Sequence, residues 1–505
     1  MRRFDKLSVA MCFLTGLGFA ALAGPLTRVP NPLIEDDGYF YSRIAYNLGV
    51  HSFSSFDNIN VTSGYHLLWG LALGALSKLL AAFTIDRSYH MIAHLAFAFG
   101  VIGWTAFGFF KRPLEHAAII AIMVWSFAMT EVALLGLLQV YLISRFVTAR
   151  DSFLKSPVDL LVIALIPLTR IDALAVLGVL GLYLLIYERQ SFVRFTSAAA
   201  VGAAAQLVTM RLMFGHWFGV ASLLKTQAME LVTSERLIHN FLVTRSTMLR
   251  TLLIVAMLAI CAYLFYALRD WRERTRWAWA VAAVTSFFVA HFFLSVMRSW
   301  YLAVPLICLM LLVSVAIEHS ALGKRAVDVL YGLTCACTAL LVCLIFARSN
   351  SYYWAEESYA IGFIDRVNAL VPPNEPIYQI SGAGYTAYWL EPSVVNGDGL
   401  VNSHEYLERM NNLQLASYLE DSDICLIIRD TPVDGDVVAG NAGLMVRTSD
   451  VEVLEDAPTT LHELWQYRLF LLKAPRCQRL ANLTQYAYRV PAPGPGHILT
   501  ARPAQ

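Results

Sequence analysis

The sequence predicts a mainly α-helical, polytopic transmembrane bundle of about eleven spans with a C-terminal extracytoplasmic α/β domain. The first observation is composition: 57% of the 505 residues are hydrophobic and only 15% are charged, against about 45–50% and about 25% in an average soluble domain. The second is that the apolar residues fall in runs of about 17–20, long enough to cross a hydrocarbon core about 30 Å thick. Together they exclude a disordered, collagen-like or nucleic-acid-binding chain and an ordinary soluble enzyme.

The third observation is the uneven distribution of charge. Residues 1–350 carry 28 basic and 18 acidic side chains, whereas residues 351–505 carry 10 basic and 19 acidic ones. The net charges of the two parts are therefore +10 and −9. This difference divides the chain into a membrane module, 1–350, and a polar C-terminal domain, 351–505, whose length is that of a typical domain.

The basic residues between the apolar runs predict the topology. The first candidate span, Leu7–Gly24, follows a basic N-terminal segment, which places the N-terminus in the cytoplasm. Basic clusters at 145–155, 189–194, 269–276 and 324–325 follow alternate runs, and the positive-inside rule puts all four in the cytoplasm. The expected location is therefore the inner (plasma) membrane, with an acidic loop, 25–64, and residues 351–505 on the outer face. The other apolar runs lie near 66–83, 91–110, 116–147, 157–187, 196–213, 250–268, 277–296, 301–317 and 326–347.

Two of these runs contain charged residues. The run 157–187 is interrupted by Arg170 and Asp172 and is predicted to form two short helices. The run 116–147 contains Glu131, and we take it as one tilted span, which gives eleven spans and an outer C-terminus. Counting it as two spans would require another segment to be re-entrant, although the basic pair at 111–112 favours that alternative.

The polar domain is predicted to be mixed α/β. The β-rich stretches Ile377–Ile380 and Ile424–Ile428 alternate with a helical stretch, Glu405–Leu419. Of the eight cysteines, only Cys425 and Cys477 lie in this domain. They can pair if the domain faces an oxidising compartment, and the sequence leaves that question open.

Asp36 and Asp37 are the candidate catalytic residues in the outer loop. Apolar residues recur at positions 40, 44 and 48, which predicts an amphipathic helix lying along the membrane surface. The two acids fall at its start, where a carboxylate can cap free backbone N–H groups. A partly buried carboxylate pair is also a common general-base arrangement, so both interpretations stay open.

A series of short motifs, in order along the chain, resembles the GT-C superfamily of polytopic glycosyltransferases. Those enzymes use polyprenyl-phosphate sugars and include the protein mannosyltransferases and the lipid A aminoarabinose transferases. The acidic pair at the start of an outer-face helix is the first element of the resemblance. The others are Thr62-Ser63-Gly64 leading to Leu68-Trp69, Thr130-Glu131, Arg170-Ile171-Asp172, Phe214-Gly215 followed by Lys225, Arg298-Ser299-Trp300-Tyr301, and Asn396-Gly397-Asp398-Gly399-Leu400-Val401-Asn402.

The resemblance implies an inverting transfer of a sugar from a polyprenyl-phosphate donor to an envelope glycan, lipid or protein acceptor. A carboxylate must take the proton of the attacking hydroxyl, and Asp36 is expected to do so with support from Asp37. No cofactor or metal is expected, because Arg and Lys alone can stabilise a departing lipid phosphate. The expected substrate-binding residues are Glu131, Arg170, Asp172, Lys225, Arg298 and Tyr301.

Two other classes of function remain open. A secondary transporter or lipid flippase would also carry charges inside its spans, but it would be expected to show internal repeats and broken helices at the membrane midplane. A non-enzymatic envelope scaffold would have no need of Asp36 and Asp37. The acidic outer loop and the polar C-terminal domain favour the transferase.

Overall fold

The protein is described here by a computed structural model. It describes residues 36–111, 113–124, 129–149, 152–227, 270–294, 303–319, 361–429, 437–441, 444–457 and 467–483, together with positions 262, 265 and 329. The predicted span 7–24 lies outside the described residues, and so do nearly all of the runs 250–268 and 326–347.

The prediction of a mainly helical chain is confirmed. Among the described residues, two helices are long and apolar enough to cross a membrane, Arg87–Phe109 and Arg189–Phe214, and several others are apolar but shorter. The eleven spans therefore stay a prediction. The helices before residue 320 are α1 (Asp36–His51), α2 (Leu67–Ala81), α3 (Arg87–Phe109), α4 (Pro113–Val124), α5 (Val132–Thr148), α6 (Pro157–Thr169), α7 (Leu174–Tyr187), α8 (Arg189–Phe214), α9 (Val220–Gln227), α10 (Trp271–Leu294) and α11 (Ala303–His319).

The break predicted within the run 157–187 is present. Helix α6 ends at Thr169, Arg170 adopts an extended conformation with φ −154°, and a short 3₁₀ turn precedes α7. The Arg170 side chain is bound to Asp172 and to Glu131. The two charges therefore meet partners at a helix end instead of facing the apolar surroundings of a continuous helix.

The run 116–147 is not one continuous helix. Its described residues form two helices, α4 and α5, and Glu131 is the residue that immediately precedes α5. The physical reason is the buried Glu131 carboxylate, which reaches its partners only from the end of a helix, where Tyr41 and Arg170 lie within hydrogen-bonding distance. How often this run crosses the membrane stays a prediction.

Three of the four basic clusters, at 145–155, 189–194 and 269–276, lie together at one end of the helices, and the fourth, 324–325, lies outside the described residues. Arg145 at the end of α5 forms a 2.9 Å ion pair with Asp159 at the start of α6. Arg276 of α10 forms a 3.1 Å ion pair with Glu188 and stacks over the ring of Phe146 at 5.0 Å. This proximity agrees with the prediction that these joints share one face of the membrane.

Helices α1, α2 and α3 pack against one another beside the C-terminal part of the chain. In the ring of His94 of α3, Nδ1 lies 2.8 Å from Oγ of Ser42 in α1, and Nε2 lies 2.8 Å from Oγ of Ser77 in α2. The hydroxyl of Tyr388, which belongs to the C-terminal part, donates to the carbonyl of Arg87 at 2.7 Å. The turn between α2 and α3 therefore lies on the same side of the molecule as the C-terminal residues.

Residues 361–483 contain a five-stranded mixed sheet with helices. Its strands are β1 (Ile377–Gln379), β2 (Val394–Asn396), β3 (Leu426–Arg429), β6 (Val451–Ala457) and β7 (Tyr467–Leu472), in the order β2-β1-β3-β7-β6. Strands β1, β2 and β3 are parallel, whereas β7 runs antiparallel to β3 and β6. The remaining elements are the hairpin β4 (Val437–Asn441) and β5 (Leu444–Arg447), and helices α12 (Ala383–Trp389), α13 (His404–Asn411) and α14 (Leu415–Asp421).

Local sequence sets the ends of several helices. Ser156 caps α6 by accepting from the amide of Val158, and Pro157 occupies the first helical position, where no N–H is needed. Helix α8 is capped by Gly215, whose φ of +74° is a left-handed conformation that glycine adopts readily. The predicted helix 405–419 is instead two helices, α13 and α14, separated at Leu413 with φ +56°.

Cys425 and Cys477 form a disulfide, which settles the pairing that the sequence left open. The two residues are 52 positions apart, and their Cα atoms are 5.5 Å apart. The bond ties the start of β3 to the 3₁₀ turn Pro475–Leu480. A cross-link that closes a loop of this length stabilises a fold by about 4 kcal/mol in the chain-entropy account.

We therefore expect both thiols to resist alkylation in denatured, unreduced protein and to react fully after reduction. Reduction should also lower the melting temperature, because the unfolded chain regains the entropy of the open loop. Mass spectrometry of alkylated peptides and a thermal melt measure the two effects. Cys308, a buried free thiol, is the internal control and should be alkylated in both conditions. Alkylation of Cys425 without reduction would contradict the assignment.

Candidate active site

A cavity lies where helices α1, α5 and α8 meet the C-terminal part of the chain. Its volume, counted together with the solvent at its open mouth, is about 740 Å³. Most of its polar lining comes from helix ends and the connections between helices, at the end opposite the Arg145 and Arg276 ion pairs. The lining residues are Asp37, Phe40, Tyr41, Ser63, Gly64, Tyr65, His66, Glu131, Arg170, Ile171, Gln206, Met210, Gly219, Ala221, Ser222, Leu400 and Val401.

The two candidate base residues, Asp36 and Asp37, have different surroundings. Asp37 lines the cavity, whereas Asp36 is outside its lining. The Asp36 Oδ1 atom accepts from the backbone N–H of Tyr385 at 3.1 Å, and a Cβ atom on Gly384 would collide with Asp36. Asp36 thus caps the start of α12, while its neighbour faces the space where a substrate can bind.

Burial raises the pKa of the Asp36 carboxyl well above its usual value, and the nearby charges of Asp37 and Asp398 raise it further. The backbone donors at Tyr385 and Gly384 act in the opposite direction, because they stabilise the carboxylate. The net effect is a raised pKa, so the charged form of Asp36 is unfavourable. The backbone N–H groups at the start of α12 partly offset this effect.

Glu131 is the centre of a buried network in the cavity wall. The hydroxyl of Tyr41 donates to Glu131 Oε2 at 2.8 Å, and Arg170 Nη1 donates to Oε1 at 2.6 Å. The ring of His66 lies 3.3 Å from the same Oε1 atom, and its backbone N–H donates to the Tyr41 hydroxyl at 3.2 Å. The network joins α1, the segment before α2, α5 and the α6–α7 connection around one carboxylate.

Arg170 is held by two carboxylates. Besides Glu131, its Nε and Nη2 atoms donate to the two oxygens of Asp172 at 3.0 and 2.5 Å. The side chain of Arg170 is 3% exposed, whereas that of Asp172 is 36% exposed. Because the guanidinium is buried between two acids, its geometry suits a role in shaping the cavity wall better than a role in binding a phosphate.

The C-terminal residues 400–404 cover one side of the cavity by packing on residues 62–64. The hydroxyl of Thr62 donates to the carbonyl of Asn402 at 2.9 Å, and the hydroxyl of Ser63 lies 3.1 Å from the ring of His404. A Cβ atom on Gly64 would collide with the carbonyl of Leu400, so only glycine permits this approach. Two of the motifs that resemble the glycosyltransferases therefore meet at the site.

Three of the predicted site residues have side chains that the structure does not describe. The backbone of Lys225 belongs to α9, three residues beyond Ser222 in the cavity wall, but its side chain lies outside the described part. Arg298 and Tyr301 also lie outside the described residues. Their assignment to substrate binding stays a prediction.

Tyr41 and Gln206 were missed by the sequence analysis. A signal for Tyr41 was present, because it follows Asp37 by four residues and so shares its helix face. Gln206 is an uncharged amide within a helix of mixed composition, and nothing in the sequence distinguishes it from a surface residue.

In comparisons with known proteins, no family model and no curated protein matches this chain.

Proposed function

We propose that the protein is an integral membrane glycosyltransferase that moves a sugar from a polyprenyl-phosphate donor to an envelope glycan, lipid or protein acceptor. The observation that carries the proposal is the placement of Asp37, a half-buried carboxylate, in a cavity built from helix ends and covered by the C-terminal residues. The resemblance to the GT-C superfamily supports the same assignment.

In the proposed reaction, the acceptor hydroxyl attacks the anomeric carbon of the sugar. The new C–O bond forms as the bond to the phosphate oxygen breaks, and the electron pair leaves with the lipid phosphate. Asp37 takes the hydroxyl proton as the nucleophile's charge develops. The sugar passes through an oxocarbenium-like state, by analogy with glycoside hydrolysis. Lys225 and Arg298, with Tyr301, are the proposed contacts of the departing phosphate.

The Glu131 network is proposed to position the cavity wall and Asp37 without taking part in the reaction. Glu131, Arg170 and Asp172 fix the α6–α7 connection against α1 and α5. Through Tyr41, one turn from Asp37, the same network holds the base on its helix. Substitutions here should lower activity through the shape of the cavity.

The proposed topology places the cavity on the outer face. Residues 351–505, with the disulfide, form an extracytoplasmic α/β domain on the same face. The turn that follows α2 lies beside the C-terminal part of the chain, because Tyr388 donates to the carbonyl of Arg87 at the start of α3. We therefore take α2 as a segment that stays on the outer side with that part of the chain. With α2 excluded and α4 and α5 counted separately, the chain again has eleven spans. Lys111 then lies in the cytoplasm, in agreement with its charge.

This topology predicts opposite accessibility for two engineered cysteines. T84C, in the turn before α3, should react with a membrane-impermeant maleimide on intact cells, whereas K111C should react only after the membrane is opened. Gel shift of the purified protein measures the labelling, and the wild type provides the background. Reporter fusions after Tyr352 and near Arg272 should read extracytoplasmic and cytoplasmic, respectively. Labelling of K111C but not T84C from outside would restore α2 as a span.

The alternative function is a secondary transporter or lipid flippase without transferase activity. Transporter sites form near the membrane midplane, whereas this cavity is lined largely by helix ends and connections, which favours the transferase. Reconstituted protein supplied with a radiolabelled prenyl-phosphate sugar and an envelope extract tests the choice. Acceptor-dependent release of prenyl phosphate supports the transferase. Movement of the intact lipid across the vesicle membrane without release would support the flippase.

A further inference from the structure

An amide oxygen that has no hydrogen-bonding partner among the described residues lies in one wall of the cavity. Gln206 and Met210 line the cavity from the same face of α8, and Ala221 and Ser222 continue this wall on α9. The Oε1 atom of Gln206 is shielded from solvent and accepts no hydrogen bond from any part of the chain that the structure describes. A buried carbonyl oxygen without a hydrogen bond is unfavourable. A molecule bound in the cavity can therefore stabilise this oxygen by donating a hydrogen bond to it.

The chemistry of the proposed donor limits what that molecule can offer. A prenyl-phosphate sugar is a phosphodiester, whose phosphate oxygens carry no hydrogen, and its lipid tail has no polar hydrogen. Only the sugar brings O–H or N–H groups. The oxygen of Gln206 therefore matches the sugar and neither of the other two parts of the donor.

The placement of the wall also favours the donor sugar over the acceptor. Asp37, which we propose to take the proton of the acceptor, lies on α1 in a different wall. Lys225, which we propose to contact the phosphate, follows Ser222 by three residues on α9. The sugar is bonded directly to that phosphate, so its hydroxyls lie on the side of the cavity that α8 and α9 form.

We infer that Gln206 accepts a hydrogen bond from a hydroxyl or amide hydrogen of the transferred sugar and so determines which sugars the site selects. This inference rests on the proposed function, since it assumes a glycosyl phosphodiester in the cavity. A site that accepts a hydrogen bond from a substrate group discriminates against analogues that lack the group, because its own polar atom is then left unpaired. Loss of one neutral hydrogen bond weakens binding about ten-fold.

The test measures binding of short-chain prenyl phosphodiesters to the purified full-length protein in detergent. The panel contains prenyl methyl phosphate, which has no sugar, and the glucosyl, galactosyl, mannosyl, N-acetylglucosaminyl and arabinosyl diesters. The quantity compared is the sugar increment, the Kd of the methyl diester divided by that of the tightest glycosyl diester. In Gln206→Met we expect the increment to fall about ten-fold, with the Kd of the methyl diester unchanged.

The matched control is Gln139→Met. Gln139 is a glutamine of α5, 1% exposed, whose side-chain amide has no hydrogen-bonding partner among the described residues, and it lies outside the cavity lining. We expect this control to leave the sugar increment at the wild-type value. An equal loss in both variants would mean that Gln206 acts through helix packing, and would overturn the inference.

Single-deoxy analogues of the tightest glycosyl diester give a second measurement, the first part of which uses the wild-type protein alone. One position should lose about ten-fold in affinity in the wild type and nothing in Gln206→Met. If no deoxy analogue loses affinity, or the increment survives in Gln206→Met, the role of Gln206 is wrong and the proposed function stands. If no prenyl phosphodiester binds the wild type at all, the proposed function itself fails.

Discussion

Asp37→Asn should lower the rate of sugar transfer by about 10²–10⁴-fold, the usual contribution of a general base. The substitution is nearly isosteric and replaces one carboxylate oxygen with a group that cannot take a proton. Because Asp37 lines the cavity, the loss should appear in kcat with little change in donor binding. Initial rates with a prenyl-phosphate sugar measure the effect, and size-exclusion chromatography and circular dichroism check the fold.

Asp36→Asn is the matched control, because it makes the same chemical change one residue away. The amide oxygen of Asn can still accept from the backbone N–H of Tyr385, so the start of α12 keeps an acceptor. We expect a rate within about ten-fold of the wild type, well short of the loss of a general base. If Asp36→Asn were the more damaging substitution, the base would be Asp36, as the sequence first suggested. If both variants transferred sugar normally, the two acids would only stabilise helix ends.

Arg170→Met should give the largest loss of stability, about 3–5 kcal/mol in the free energy of unfolding. Arg170 and Glu131 are 3% and 4% exposed at the side chain. Removing the cation leaves the Glu131 carboxylate buried without its permanently charged partner, which is more unfavourable than the loss of the pair itself. Thermal or detergent denaturation of the purified protein measures the change.

Two variants separate this effect from the simple loss of a long side chain. The double variant Glu131→Gln, Arg170→Met should be more stable than Arg170→Met alone, because no unpaired carboxylate remains at position 131. Arg276→Met changes an equally buried arginine, 4% exposed, whose partner Glu188 is 29% exposed and can be solvated, so a smaller loss is expected. Equal losses for Arg170→Met and Arg276→Met would show that packing, not charge, sets the effect.

Much of the helical architecture was predictable from the sequence, because it depends on local properties. Arg170 and Asp172 cannot lie inside an apolar helix without partners, so their position alone predicted the break between α6 and α7. The same argument applied to Glu131. There we gave more weight to a total of eleven spans with an outer C-terminus, and so α4 and α5 were wrongly taken as one helix. Helix α2 is apolar enough to resemble a span, and only a tertiary contact, from Tyr388 to the carbonyl of Arg87, places the turn after it beside the C-terminal part.

The sequence by itself determined the mainly helical class and the helix break at 170–172, since each follows from residues close together in the chain. Tertiary structure alone decided which carboxylate enters the cavity. Adjacent residues on a helix point about 100° apart, and both acids satisfy the same sequence pattern. It also decided the pairing of Glu131 with Arg170, the Cys425–Cys477 bond and the packing of residues 62–64 under 400–404. These contacts join residues tens to hundreds of positions apart, and periodicity identifies the buried face of a helix but never its partner.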